Sequence, residues 1–187
     1  MTSNDTGSGT RPPGRLQVRQ ATQRDLPTVV SILNEAAQWL QGRQIDQWQG
    51  GFDASLVLPG ITDGHVWLAE IEDQDAGTFT LSWSDPLWQP DDDGGYIHRL
   101  AVRRRFPGLG VHLLRFAAHE TKQHARHYLR LDCGAANHRL RAYYEQAGFR
   151  HRGDVEVVTP ASFTLSLYQM AVSGRADRQA RDHDSPE

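Results

Sequence analysis

The run Arg103-Arg104-Arg105-Phe106-Pro107-Gly108-Leu109-Gly110 sets two glycines behind the most basic stretch of the chain. Glycine has no Cβ, so its backbone can approach a ligand closely. Where a helix opens, its first N–H groups have no internal partner and point the same way. Such amides cradle a phosphate or pyrophosphate, and Arg104 and Arg105 can add side-chain charge. The plain alternative is a tight turn with a solvated basic rim. Two familiar phosphate loops are excluded. No Gly-Lys-Ser/Thr ending follows, and Leu113 stands where a dinucleotide fingerprint needs its third glycine. Nine histidines raise the question of a metal. His112, His119, His124 and His127 have no Cys or acidic partner at ligand spacing, and no metal site is expected. Cys133 is the single cysteine. It permits no intrachain disulfide, and its place in Tyr128-Leu-Arg-Leu-Asp-Cys133 reads as core filling rather than as a nucleophile.

The elements that must position these residues follow from periodicity. The chain has 187 residues, 20 Lys+Arg against 23 Asp+Glu, a net charge of -3 and 38% hydrophobic residues. That suits one domain with a real core and gives no reason to expect a nucleic acid partner. Residues 1–14 and 173–187 are polar or charged and read as disordered ends, leaving a domain over 15–172. No signal peptide and no spanning segment are read, so the expected place is cytoplasmic, away from membranes.

Leu16–Gln20 alternates as a strand. Leu26, Val29, Val30, Leu33, Ala36, Ala37 and Leu40 form one helical face. Ile45 to Leu58 suggests a second, less regular helical region. Val66–Ile71 and Thr78–Trp83 read as a hairpin about an Asp73–Gly77 turn. Tyr96–Val102 is a central strand, followed by a helix from Leu109 to about His124. Tyr128–Asp132 is a strand, and Asn137 can cap a helix that Gly148 ends. Phe149 opens an extended segment. In Ala161–Met170, Phe163, Leu165 and Leu167 alternate with Thr164, Ser166 and Tyr168. The fold class is therefore α/β (α+β mixed), a central six- to seven-stranded mixed sheet flanked by helices.

At this point the sequence resembles a known family. Arg105-x-x-Gly108-x-Gly110 matches the acyl-CoA-binding motif of the GNAT family of N-acetyltransferases. Leu100-Ala-Val102 before it and Leu113-Leu114 after it look like that family's strand and helix. Asn137-x-x-Leu140-x-x-x-Tyr144-x-x-x-Gly148-Phe149 is similar to its second motif, in order and at the expected distance. The specific part is 96–152; the first 80 residues match only in rhythm. The resemblance implies acetyl-CoA as cofactor, with CoA as product. It implies a pyrophosphate on amides of Phe106, Gly108, Leu109 and Gly110, with Arg104, Arg105 and Val111 nearby. It implies a pantetheine arm paired along Leu100, Ala101 and Val102, chiefly through backbone groups of Leu100 and Val102, as peptides extend a sheet edge. Asn137, Tyr143 and Tyr144 complete the expected cofactor contacts. Pro107 departs from the motif's usual Arg or Tyr and donates no N–H.

Transfer of an acetyl group to an amine needs a deprotonated amine, a stabilised carbonyl oxygen and a protonated leaving thiolate. The resemblance makes Tyr144 the general acid, with Tyr143 its neighbour. His98 is a candidate base, since histidine titrates near ~6.5. Period two puts it on one face with Tyr96, Leu100 and Val102. Asp85, Asp132 and Asp91–Asp93 are rival acids, and Glu35 is a weaker candidate for acceptor contact. Trp39, Trp48 and Trp83 are expected to wall an acceptor cleft. The reading is an N-acetyltransferase acting on a small-molecule or peptide amine. Another acyl-CoA-dependent N-acyltransferase and a non-catalytic CoA-binding module are the alternatives. The strand-rich C-terminal half leaves room for a homodimer.

Overall fold

The structure, a computed structural model, describes residues 15–45, 47–88, 93–158 and 162–172. Both ends expected to be disordered, and Asp91 and Asp92, lie outside the described residues. Seven strands form one sheet in the order β1-β2-β3-β4-β5-β7-β6. They are β1 Leu16–Gln20, β2 Val66–Ile71, β3 Gln74–Ser82, β4 Gly94–Val102, β5 Tyr128–Gly134, β6 Arg150–Val157 and β7 Phe163–Ala171. Every neighbouring pair is antiparallel except β4 and β5. The helices are α1 Leu26–Gln41, α2 Ala54–Thr62, α3 Leu109–Gln123 and α4 His138–Gln146.

Alternation along β2 divides the core. Val66 and Leu68 pack with Val29, Ile32 and Leu33 of α1 and Val57 and Ile61 of α2. Trp67, Ala69 and Ile71 pack on the opposite face, with Leu109, Leu113, Leu114 and Ala117 of α3 and Tyr144 of α4. Fully burying one such aliphatic or aromatic side chain contributes about 1.5–3 kcal/mol, so the two layers clamp the sheet between them.

Three local readings change. The β2–β3 turn is Glu72-Asp73, both with positive φ (51° and 61°), the two-residue geometry that matches strand twist. Gly77 therefore lies inside β3. A Cβ there would meet the Ala101 carbonyl at 3.0 Å and Leu113 at 3.1 Å, so the glycine permits close packing. The second helical region is confined to α2, where Asp53 caps by accepting from the Ser55 and Leu56 amides at 2.8 and 3.2 Å. The central strand expected over Tyr96–Val102 begins two residues earlier, at Gly94; a Cβ on Gly95 would come within 2.4 Å of Thr121 of α3.

Candidate acyl-transfer site

Parallel pairing of β4 with β5 runs from Gly94↔Tyr128 to Ile97↔Leu131 and stops. The next residues, His98 and Asp132, stand where the strands part. Beyond them β4 stays paired only to β3. The Arg103 amide donates to Ala76 of β3 at 2.8 Å, and the Ala101 carbonyl also faces β3. Backbone groups alternate between the two edges of a strand. Those of Leu100 and Val102 therefore point to the edge that β5 has left. Ala101 is a correction to the expected set: its backbone turns to β3 and its methyl enters the α1–α2 core.

A bulge decides which way His98 points. Thr80 pairs with His98 but Thr78 with Ala101, so β4 carries one extra residue, and Arg99 has a φ of 52°. A bulge flips the alternation beyond it. Ile97, Leu100 and Val102 all pack on the α3 side, while Ala101 packs on the α1 side. The expectation that His98 shares a face with Leu100 and Val102 is thereby overturned.

His98 faces two carboxylates. Its Nε2 lies 3.3 Å from Oδ2 of Asp85, whose side chain is 5% exposed. Asp85 Oδ1 accepts from the Leu87 amide at 2.8 Å, which fixes the carboxylate. Asp132 completes the group: one ligand-type atom from each of the three lies within 4.8 Å of the others. Burial raises the Asp132 pKa above the ordinary carboxylate value, with His98 opposing and Asp85 adding to the shift. Two carboxylates and an imidazole are also donors that a divalent cation would accept. Sequence spacing hid them because each comes from a different segment. Asp93, by contrast, is bound to His127 Nδ1 at 2.7 Å and accepts from the His127 and Tyr128 amides.

The glycine turn opens α3. Gly108 is its N-cap, with a φ of 84°, and a Cβ placed there meets nothing within 4 Å. A Cβ on Gly110 would meet the Tyr143 hydroxyl at 2.6 Å. The turn is thus a bare-backbone surface with α4 beside it, and helix-start amides of this kind fit a pyrophosphate. Within the expected set two amides are engaged: Phe106 donates to the Arg103 carbonyl at 2.9 Å, closing the turn, and Leu109 makes a longer bond to the Phe106 carbonyl at 3.4 Å. Leu109 is buried, whereas Gly110 and Val111 are half-buried.

The three arginines differ. Arg103 is locked: Nη1 meets Glu35 at 2.7 Å, and the guanidinium also bonds Asp75 and Ser31. Arg104 is exposed and lies over the Trp39 ring at 4.4 Å, while its amide donates to Glu35 at 2.8 Å. Arg105, also exposed, reaches the Asp75 carbonyl at 3.1 Å. Glu35 therefore braces the turn, one of its oxygens bonding Arg103 and the other accepting from the Arg104 amide. Partial burial alone would raise its pKa, but the Arg104 amide and Arg103 hold it below the ordinary value.

On α4, Asn137 caps the helix, its Oδ1 accepting from the Leu140 amide at 3.1 Å. Tyr144 is buried against Phe149 and Tyr168, with ring centroids 5.9 and 6.2 Å away. Burial, followed by the nearby Cys133, Tyr143 and Asp132, pushes its hydroxyl far above the ordinary phenol value. The expected aromatic cleft divides. Trp48 packs with the α1–α2 core and Phe52, whereas Trp83 packs on the opposite face and stacks on His124 at 4.0 Å.

A strand pair that parts beside a helix-opening glycine turn is an arrangement for holding an extended phosphorylated cofactor against the sheet. The profile of the acetyltransferase (GNAT) family matches residues 29–149, and the chain belongs to that family of acetyl-CoA-dependent N-acetyltransferases. Uncharacterized N-acetyltransferase YesJ of Bacillus subtilis (strain 168) is 33% identical over 147 residues, 71% of this chain and 81% of that protein. The crystal structure of a GNAT-family acetyltransferase from Listeria monocytogenes 4b F2365 superposes with a TM-score of 0.66 at 26% identity, covering 83% of this chain and 94% of that one. YncA of Salmonella typhimurium, solved with its cofactor acetyl-CoA, shares the fold with a TM-score of 0.65 at 16% identity, covering 86% of this chain and 96% of that one. Among the described residues no helix is long and apolar enough to cross a membrane.

Proposed function

We propose that the chain transfers the acetyl group of acetyl-CoA directly to the primary amine of a small molecule or peptide at the point where β4 and β5 part. The observation that carries this reading is the coincidence of the Asp85–His98–Asp132 group with that parting. Acetyl-CoA supplies the acetyl thioester and a thiol leaving group.

The amides of Gly108, Leu109 and Gly110 bind the pyrophosphate, with Arg104 and Arg105 adding charge. Backbone groups of Leu100 and Val102 bind the pantetheine amides at the open edge of β4. Tyr143, whose hydroxyl reaches the start of α3, flanks that path. Asp85 holds the proton of His98 on Nε2, which leaves Nδ1 to take a proton from the acceptor ammonium, directly or through a water. Asp132 attracts that ammonium. Tyr144 keeps its proton on Oη at every physiological pH, available to the departing sulfur.

Release of CoA thiol across a panel of primary amines tests the reading. His98→Ala is expected to lower kcat/KM by about 10²-fold or more, and Asp85→Asn by less, with CoA affinity unchanged in both. Binding of CoA with no release on any amine would instead support a regulatory CoA-binding module.

A further inference from the structure

The sheet face that carries Asp132 continues onto strands that neither core covers. Side chains at registered positions of neighbouring strands share a face. Asp132 pairs with Leu167 and Gly134 with Leu165. Leu167 in turn pairs with Gly153, Leu165 with Val155 and Phe163 with Val157. The alternate residues of β7, Tyr168 and Met170, pack into the α3–α4 core, and Ser166 donates to Asp154 on that same side. Phe163, Leu165, Val155 and Val157 therefore lie together on the other face. None of them packs against either core. Phe163 is 48% exposed, while Leu165, Val155 and Val157 are half-buried. Toward the start of β5 the same face is closed by Arg130, which bonds Gln169 and lies under the Trp88 ring. The apolar strip thus begins at Asp132 and runs one way, toward Phe163.

An apolar strip that neither core claims is a place for a partner; it is open at Phe163 and closes toward Asp132, where Leu167 is 8% exposed. Here one end of the strip carries the half-buried Asp132 carboxylate and the His98 imidazole of the candidate centre. The occupant that satisfies both ends is an amphipathic cation, with an ammonium at Asp132 and His98 and a hydrocarbon body over Leu165 and Val155. We infer that the acceptor is a primary amine bearing an alkyl or aryl group, selected by this face of β6 and β7. The inference rests on His98 and Asp132 receiving the acceptor's ammonium.

Calorimetric titration of CoA-loaded protein with ethylamine, hexylamine and ethanolamine hydrochlorides tests it. Each added methylene is expected to tighten binding by about 2- to 4-fold, and ethanolamine should bind no better than ethylamine. Leu165→Asn, and separately the near-isosteric Val155→Thr, should flatten that series, with circular dichroism confirming that each variant folds. Hexylamine binding no tighter than ethylamine, or a series unchanged in both variants, would overturn the inference. So would a wild-type dimer that Leu165→Asn dissociates without altering the series, because the face would then belong to a second copy. Thiol release on the same amines separates the two readings. Discrimination in binding with no release on any amine sinks acetyl transfer and leaves this face intact; release without discrimination does the reverse.

Discussion

Two adjacent tyrosines on α4 point to different surroundings, and different tasks are proposed for them. Tyr144 is 7% exposed, whereas Tyr143 reaches over Gly110. Tyr144→Phe is expected to lower kcat by about 10²–10⁴-fold with CoA affinity within about 2-fold. Tyr143→Phe is expected to act mainly on KM for acetyl-CoA. Steady-state kinetics beside calorimetry separates the two. Asp132 makes a different prediction. Its folded pKa is raised, so the fold favours its neutral form. The associated stability is full below the unfolded carboxylate value near ~3.9 and is lost as pH rises through the folded value. Asp132→Asn should therefore melt above wild type at pH 8 and converge with it near pH 4, by about 2–4 °C per kcal/mol relieved. The same change should reduce transfer. Cys133, 3% exposed, has its thiol pushed up from 9.0 to about 11, first by burial. At pH 8 its thiolate fraction is about 10²-fold below that of an ordinary thiol. Native protein should resist a thiol reagent that labels it at once in denaturant; prompt native labelling would contradict the buried assignment.

At the scale of elements, the glycine turn and the bulged strand are complementary devices. Gly108 sits in the left-handed region with open space around it. Gly108→Ala should therefore cost only the backbone strain, about 1–2 kcal/mol, read from chemical denaturation. Gly108→Asp or Gly110→Asp should abolish CoA binding in folded protein, because a carboxylate then faces the pyrophosphate. The turn was legible from spacing alone, since a cap and its helix are local features. The bulge was not. Period two carried from Tyr96 to Val102 gives a single face, and one inserted residue at Arg99 divides it. The Asp73–Gly77 turn failed for a related reason. Gly77 looks like turn chemistry, yet it serves the close approach of β4 and α3.

At the scale of the molecule, Arg103 joins α1, β3 and the glycine turn through Glu35 and Asp75. The turn is thus held by the opposite layer as well as by its own helix. Glu35→Gln removes no proposed ligand contact, yet it should weaken CoA binding by about 3- to 10-fold through a looser turn, since each charge-assisted hydrogen bond is worth about 1.5–3 kcal/mol in full. Glu35 has a lowered folded pKa, and so does Asp25, held chiefly by Arg19. Their contribution is complete above the unfolded values near ~4 and disappears as pH falls through the folded ones. Thermal melts at pH 7 and 3.5 should therefore show a smaller acid loss in Glu35→Gln than in wild type. An equal loss would remove Glu35 from the clamp.

Local spacing by itself determined the helices, most strands and the glycine turn, because each depends on residues within a few positions of one another; the tyrosine motif was read from its resemblance to the GNAT family. It could nominate His98, Asp85 and Asp132 but not join them. Only tertiary structure did that, by ending one parallel pairing at Ile97 and Leu131 and by turning β4 at a bulge. The division of labour among three adjacent arginines was settled in the same way. Contacts between distant segments depend on strand register, and one extra residue in a strand redirects every side chain that follows it.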